Sequence, residues 1–250
     1  MVYSIKKTAV CCLVLSLAAC SNNMSSGSSP NIESKEKLYE TTKNYSALIS
    51  LYRETLKNND NPLIRYKLAN AYYNKGDSDS SLLYLMPLVN GNSELAEKAK
   101  VLQIKNYIQT HDYNKAATAA DILVKQHPNS GEGYNLRGIA LAQTGNLDAA
   151  RQNISKAREL FINDVVAINN IAMLSIVNGD YRNATELLLP QYLNGVKDQR
   201  LIHNLVFALV KSGDVNYAKD IIIKERLNTS PDSLIEALQK AERSPRAVRR

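Results

Sequence analysis

Apolar positions along this chain recur with the spacing of an amphipathic helix rather than a strand, and the helical stretches come in pairs. The first member of each pair carries large apolar residues on one stripe: Leu68 and Tyr72, Ile104 and Tyr107, Tyr134 and Leu141, Ile168 and Ile171, Ile202 and Leu205. A turn of nearly fixed wording separates the two members. It reads Thr-Gly-Asn-Leu-Asp-Ala-Ala over Thr144–Ala150, Asn-Gly-Asp-Tyr-Arg-Asn-Ala over Asn178–Ala184, and Ser-Gly-Asp-Val-Asn-Tyr-Ala over Ser212–Ala218. Its glycines, Gly145, Gly179 and Gly213, stand 34 residues apart. One period upstream the slot holds His111, followed by Asp112, and before that comes Gly76, followed by Asp77.

This register predicts repeats at 62–96, 97–130, 131–164, 165–198 and 199–230. A shorter, degenerate repeat at 33–61 has its second helix opened by Asn44-Tyr45-Ser46-Ala47-Leu48. Pro62 and Pro128 fall near repeat ends, where proline cannot continue a helix. Small residues at the eighth repeat position (Ala69, Gly138, Ala172) and the twentieth (Ser81, Ala116, Ala150, Ala184, Ala218) let helices approach closely. A single repeat cannot bury its stripe, whereas stacked repeats bury a continuous core. At the end, Ser230 and Pro231 read as the N-cap and first turn of a terminal helix through Leu234–Ala241 that covers the last apolar face. The expected architecture is an all-α solenoid of about five to six helix–turn–helix repeats over residues 35–230 with a C-terminal capping helix. Residues 231–250 supply that cap and a tail with four arginines that reads as a solvated end.

Composition agrees. The 250 residues include only 10 Gly and 7 Pro, with 44% apolar residues, which suits a helical array with a sizeable core. The formal charge of +7 would permit contact with nucleic acid or an anionic membrane. The N-terminus changes that picture. Lys6 and Lys7 precede a 12-residue apolar run, Thr8–Ala19, too short to span a bilayer, so residues 1–19 read as a secretory signal peptide. It ends in Leu17-Ala18-Ala19-Cys20, which resembles the lipobox of bacterial lipoproteins. That resemblance implies cleavage before Cys20 and a covalent lipid on it. Ser21, rather than Asp, in the next position implies the outer membrane, facing the periplasm. Cys11 and Cys12 would leave with the signal, so the mature chain would have no disulfide. Residues 20–34 then comprise the lipidated cysteine and a Ser/Asn-rich flexible tether, Ser21–Ser34, with a span of roughly 20 Å. Export would take nucleic acid off the list of partners.

Motifs for chemistry are missing. His111, His127 and His203 are not spaced as metal ligands, and neither a phosphate-binding glycine loop nor a Gly-x-Ser-x-Gly elbow occurs. The expectation is a non-enzyme without metal, cofactor or small-molecule substrate. What remains is a surface. Repeat positions 2, 5, 6, 9, 12 and 13 fall on one side of each first helix. The partner-binding candidates there are Tyr66, Asn70, Asn135, Asn169, Asn170, Met173, Arg200, His203, Asn204 and Phe207. An asparagine amide both donates and accepts, so a row of them can grip an extended backbone while Ile139, Met173 and Phe207 take apolar side chains. The same residues could equally be the solvated edges of ordinary helices.

The turns and the 34-residue period resemble tetratricopeptide (TPR) repeats over Pro62–Ser230. Two blocks narrow the likeness: Asn169–Leu174 before Gly179-Asp180-Tyr181 and Leu187–Pro190, and Arg200–Leu209 before Gly213-Asp214 and Ala218. With the lipobox, they resemble the TadD-like TPR lipoproteins of the tight-adherence (Flp pilus) secretion system. Val206 and Phe207 depart from the small or aliphatic residues usual there. The resemblance implies a scaffold or pilotin-like factor for Flp/Tad pili and their secretin, with secretin or other pilus components as partners. The alternative reading is a TPR lipoprotein adaptor that scaffolds peptidoglycan enzymes or other envelope machinery.

Overall fold

The computed structural model describes residues 32–90 and 93–241. The expected signal peptide, Cys20, the tether up to Asn31 and the arginine-rich tail lie outside the described residues. Thirteen helices and no strands occur among those described. The first, α1, spans Ile32–Thr41, so the last three residues of the expected tether are helical. It buries none of its own residues, which is why its sequence carries so weak a helical signal. Helix α2 (Tyr45–Asn58) completes the degenerate pair.

Five full pairs follow: α3 (Pro62–Lys75) with α4 (Ser78–Leu85), α5 (Glu94–Gln109) with α6 (Tyr113–Gln126), α7 (Gly131–Gln143) with α8 (Leu147–Glu159), α9 (Asp164–Asn178) with α10 (Tyr181–Leu193), and α11 (Gln199–Ser212) with α12 (Val215–Lys224). Each lies on the register read from the glycines. The capping helix α13 spans Pro231–Lys240 and packs on α11 and α12. Its start differs from expectation in one detail. Ser230 occupies the N-cap, but its hydroxyl bonds to Ser233 Oγ at 2.8 Å instead of accepting from a backbone amide.

The turn motif has a local physical cause. In all six pairs the slot residue adopts a left-handed conformation: Lys43, Gly76, His111, Gly145, Gly179 and Gly213, with φ between 51 and 95°. Glycine reaches that region without steric cost, so it fills four of the six slots. The next residue is always Asn or Asp and stands at the N-cap of the second helix. Asn44, Asp77, Asn146 and Asp180 each accept a backbone N–H three residues on, while Asp112 and Asp214 do not. A side-chain cap of this kind contributes about 1 kcal/mol.

The core is a string of small clusters along the solenoid, one bridging each successive group of helices. All five residues of the twentieth repeat position are completely buried. Towards each end a tyrosine, a glutamate and a lysine tie neighbouring helices together. Tyr52 donates to Glu36 Oε1 at 2.7 Å, joined by the Lys67 ammonium, which ties α1, α2 and α3 together. Tyr192 donates to Glu225 Oε1 at 2.8 Å, joined by Lys197, which ties α10 to the end of α12.

Burial, reinforced by its bond to Glu225, pushes the Tyr192 phenol up to about 12 from its ordinary value of 10.0. Because the folded value is the raised one, the stabilisation from this phenol is complete below pH 10.0 and is lost as pH rises through about 12. We expect stability to fall across that alkaline window, and to fall less steeply in Tyr192→Phe. Urea melts at stepped pH test this, and equal slopes for the two proteins would refute it.

Candidate partner-binding groove

The first helices of the five full repeats stand side by side and line one continuous concave groove. Its central section, about 420 Å³, runs from Tyr73 on α3 past Lys105 on α5, Asn135 and Ile139 on α7 and Asn170 on α9 to Arg200 on α11. A second section, about 640 Å³, opens between α3, α5 and the start of α7 and is bordered by Tyr66, Asn70, Tyr73, Lys98 and Lys105. The two sections share Tyr73, Lys105 and Glu132. Tyr66 and Asn70 also border a smaller cavity of about 130 Å³ beside α2.

The expected asparagine row is organised in pairs. Asn170 Nδ2 donates to Asn135 Oδ1 at 2.8 Å, and Asn204 Nδ2 donates to Asn169 Oδ1 at 2.9 Å. Asn135 and Asn169 are thereby almost covered, at 8% and 7% exposure, while Asn170 and Asn204 stay half-buried. These amides therefore stitch neighbouring repeats together, and of the four Asn135 and Asn170 line the groove. Met173 and His203 are exposed. Phe207 is half-buried, and its ring already has company: Tyr181 lies edge-on at 6.0 Å and the Lys211 ammonium stands 5.9 Å from its centroid.

Acidic side chains enter the groove that were not singled out from the sequence. Glu132 pairs with Lys105 at 2.5 Å across two repeats, and Glu94 pairs with Lys98 at 2.6 Å within α5. Arg200 pairs with Asp198 at 3.2 Å. Glu132 was legible, because it occupies repeat position 2, as do Lys98 and Arg200. Its partner was not, since Lys105 lies at position 9 of the preceding repeat. On the groove wall Glu97 faces His127 Nδ1 at 3.2 Å, while His127 Nε2 is sealed without a partner. Burial raises the Tyr66 phenol, opposed by the charge of Lys105. Among the described residues no group of three or more His, Cys, Asp or Glu is placed to hold a metal ion. No helix among them is long and apolar enough to cross a membrane.

Residues 101–164, covering most of the second full repeat and all of the third, match the family model described as the tetratricopeptide repeat. No match was found among curated protein sequences. Among solved structures, a thermophilic TPR protein of Thermus thermophilus is similar over 72% of this chain and 97% of its own, at 19% identity and a TM-score of 0.61. A tetratricopeptide repeat protein from Parabacteroides merdae is similar over 86% and 88%, at 16% identity and a TM-score of 0.65. A chain of the APC/C hetero-tetramer Cut9–Hcn1 is similar over 85% of this chain and 42% of its own, at 16% identity and a TM-score of 0.59. From the glycine slots to the stacked helix pairs and the matched repeats, the described residues form a tetratricopeptide-repeat solenoid.

Proposed function

We propose that this chain is a protein-interaction scaffold whose concave groove holds a segment of a partner protein. One observation carries the reading: a continuous groove runs along the first helices of all five full repeats, with side chains that both donate and accept hydrogen bonds and with apolar ground between them. The lipobox-like Leu17-Ala18-Ala19-Cys20 and the likeness of the last two repeats to TadD-like lipoproteins extend the proposal. On that reading a lipid on Cys20 holds the solenoid at the outer membrane, facing the periplasm. There it acts as a pilotin-like factor, keeping a segment of a secretin or another Flp/Tad pilus component soluble and delivering it for assembly.

The test is a crosslinking pull-down from cell envelopes with the full chain and with a Tyr73→Ala/Ile139→Ser variant. Secretin or pilus-assembly proteins recovered by the wild type and lost in the variant support the proposal. Cell-wall synthases or hydrolases in their place overturn the pilus role. Equal recovery by both proteins overturns the groove.

A further inference from the structure

Seen along its length, the stack has two rims. First helices begin and second helices end on one rim, where the turns between repeats lie, and the turns inside the pairs lie on the other. The two rims differ in apolar exposure. Leu63, Leu83, Met86, Leu193 and Ile223 all stand at the first rim, in the opening turn of a first helix, the closing turn of a second, or directly after it, and each is more than half exposed. Phe161, two residues beyond α8 on the same rim, is 95% exposed. The turns inside the pairs, from 42–44 to 213–214, hold no large apolar residue. Exposed apolar side chains scattered singly are ordinary, whereas a set gathered on one rim marks a contact surface.

Phe161 is explained neither by the core nor by its turn. Its φ is 61°, in the left-handed region. Its amide donates to the Arg158 carbonyl at 3.0 Å, and the next amide, of Ile162, donates to the Ala157 carbonyl at 3.2 Å. One repeat later Gly195 holds the same place with φ 88°, and the same two bonds run from Gly195 to Tyr192 and from Val196 to Gln191. Glycine makes this turn without steric cost, so the benzyl group of Phe161 serves something outside the chain.

The kind of partner follows from placement. Phe161, Leu193 and Ile223 belong to three successive repeats, so the partner must present the same apolar ground to each, as a bilayer surface does. Beside Leu193 the Lys197 and Lys224 ammoniums stand 5.2 and 5.5 Å from the centroid of the Tyr192 ring. Basic and aromatic groups around aliphatic ones characterise segments that lie in a membrane interface. The apolar rim is also the one from which the N-terminal chain departs. Glu36, near the start of α1, bonds to Lys67, near the start of α3, so these helices begin level and Ile32 lies on this rim. The stretch from Cys20 to Ile32 spans at most about 40 Å.

We propose that this rim faces the bilayer, with Phe161, Leu193 and Ile223 set into its interfacial layer. The inference rests on the reading that Cys20 carries a lipid. A lipid tied to α1 holds the solenoid at one end only. Three apolar side chains near the other end lay it along the membrane and keep the groove at a fixed height above the surface.

The chain contains no tryptophan, so a single introduced one reports its own position. Phe161→Trp and Leu193→Trp sit on the apolar rim, and Tyr113→Trp, at the start of α6, sits on the other. Phe161 and Leu193 are exposed, so replacing them disturbs no packing. Each full-length variant is purified from membranes and reconstituted into vesicles of phosphatidylethanolamine and phosphatidylglycerol, with and without bromine on the acyl chains. Intact mass reads the lipid on Cys20 separately. Emission from Phe161→Trp and Leu193→Trp should lie at shorter wavelength than in detergent and be quenched by bromine several-fold more than emission from Tyr113→Trp. A lipid on Cys20 with equal quenching at all three positions would overturn this inference and leave the anchor reading standing. No lipid on Cys20 would overturn the anchor reading. Emission from Phe161→Trp that moves with lipid-free envelope protein and not with vesicles would overturn the inference in favour of a protein partner on this rim.

Discussion

Truncating Leu205 to alanine is expected to destabilise the C-terminal part of the solenoid by about 2–5 kcal/mol, as cavity formation at a fully buried leucine does. Leu205 is completely buried at the centre of the largest cluster, among Leu188, Leu201, Leu209, Ile222 and Ile235. These residues come from α10, α11, α12 and the capping helix, elements too tightly tied to collapse into the space. Because each repeat touches chiefly its neighbours, the damage should stay local. Hydrogen exchange read by mass spectrometry should show α10 to α13 losing protection while α3 to α6 keep theirs. A uniform loss along the whole chain would mean that the repeats fold as one unit and would refute the expectation.

The second large effect concerns Gly138, and its sign runs against helix propensity. In an open helix, replacing glycine by alanine gains about 1 kcal/mol. Here an added Cβ would lie 2.6 Å from Ile154 Cγ1 and 3.0 Å from the Ala150 carbonyl oxygen. Ala150 is the buried small residue at the twentieth position of the same repeat, so the eighth and twentieth positions are where α7 and α8 touch. Forcing them apart should cost about 1–3 kcal/mol. Thermal unfolding of Gly138→Ala is the check: a lower Tm is expected, and a higher one would show that α8 has room to yield.

Much of this was legible because it is local or periodic. The glycine slots marked the left-handed turns, and the Asx residues after them marked the caps. The small residues at the eighth and twentieth positions marked close approach. Pairings between repeats were harder to see. The separation of 35 residues links Asn135 to Asn170 and Asn169 to Asn204 in the sequence too, but nothing local shows that one amide donates to the other. The ion pair in the groove was hidden for the same reason: Glu132 sits at a legible repeat position, but it meets Lys105 only through stacking. Helix α1 was legible only as the opening of a degenerate repeat, for another reason. Its place is held by Glu36 bonding to Tyr52 and Lys67, not by a buried apolar stripe of its own.

A core broken into a string of small clusters also sets how the molecule answers a load. Pulled from its two ends, a body with one central core holds until it gives way all at once. Here tension passes from cluster to cluster, and each junction can part while its neighbours hold. The solenoid is in that sense a spring, able to lengthen and recoil along its stack of repeats.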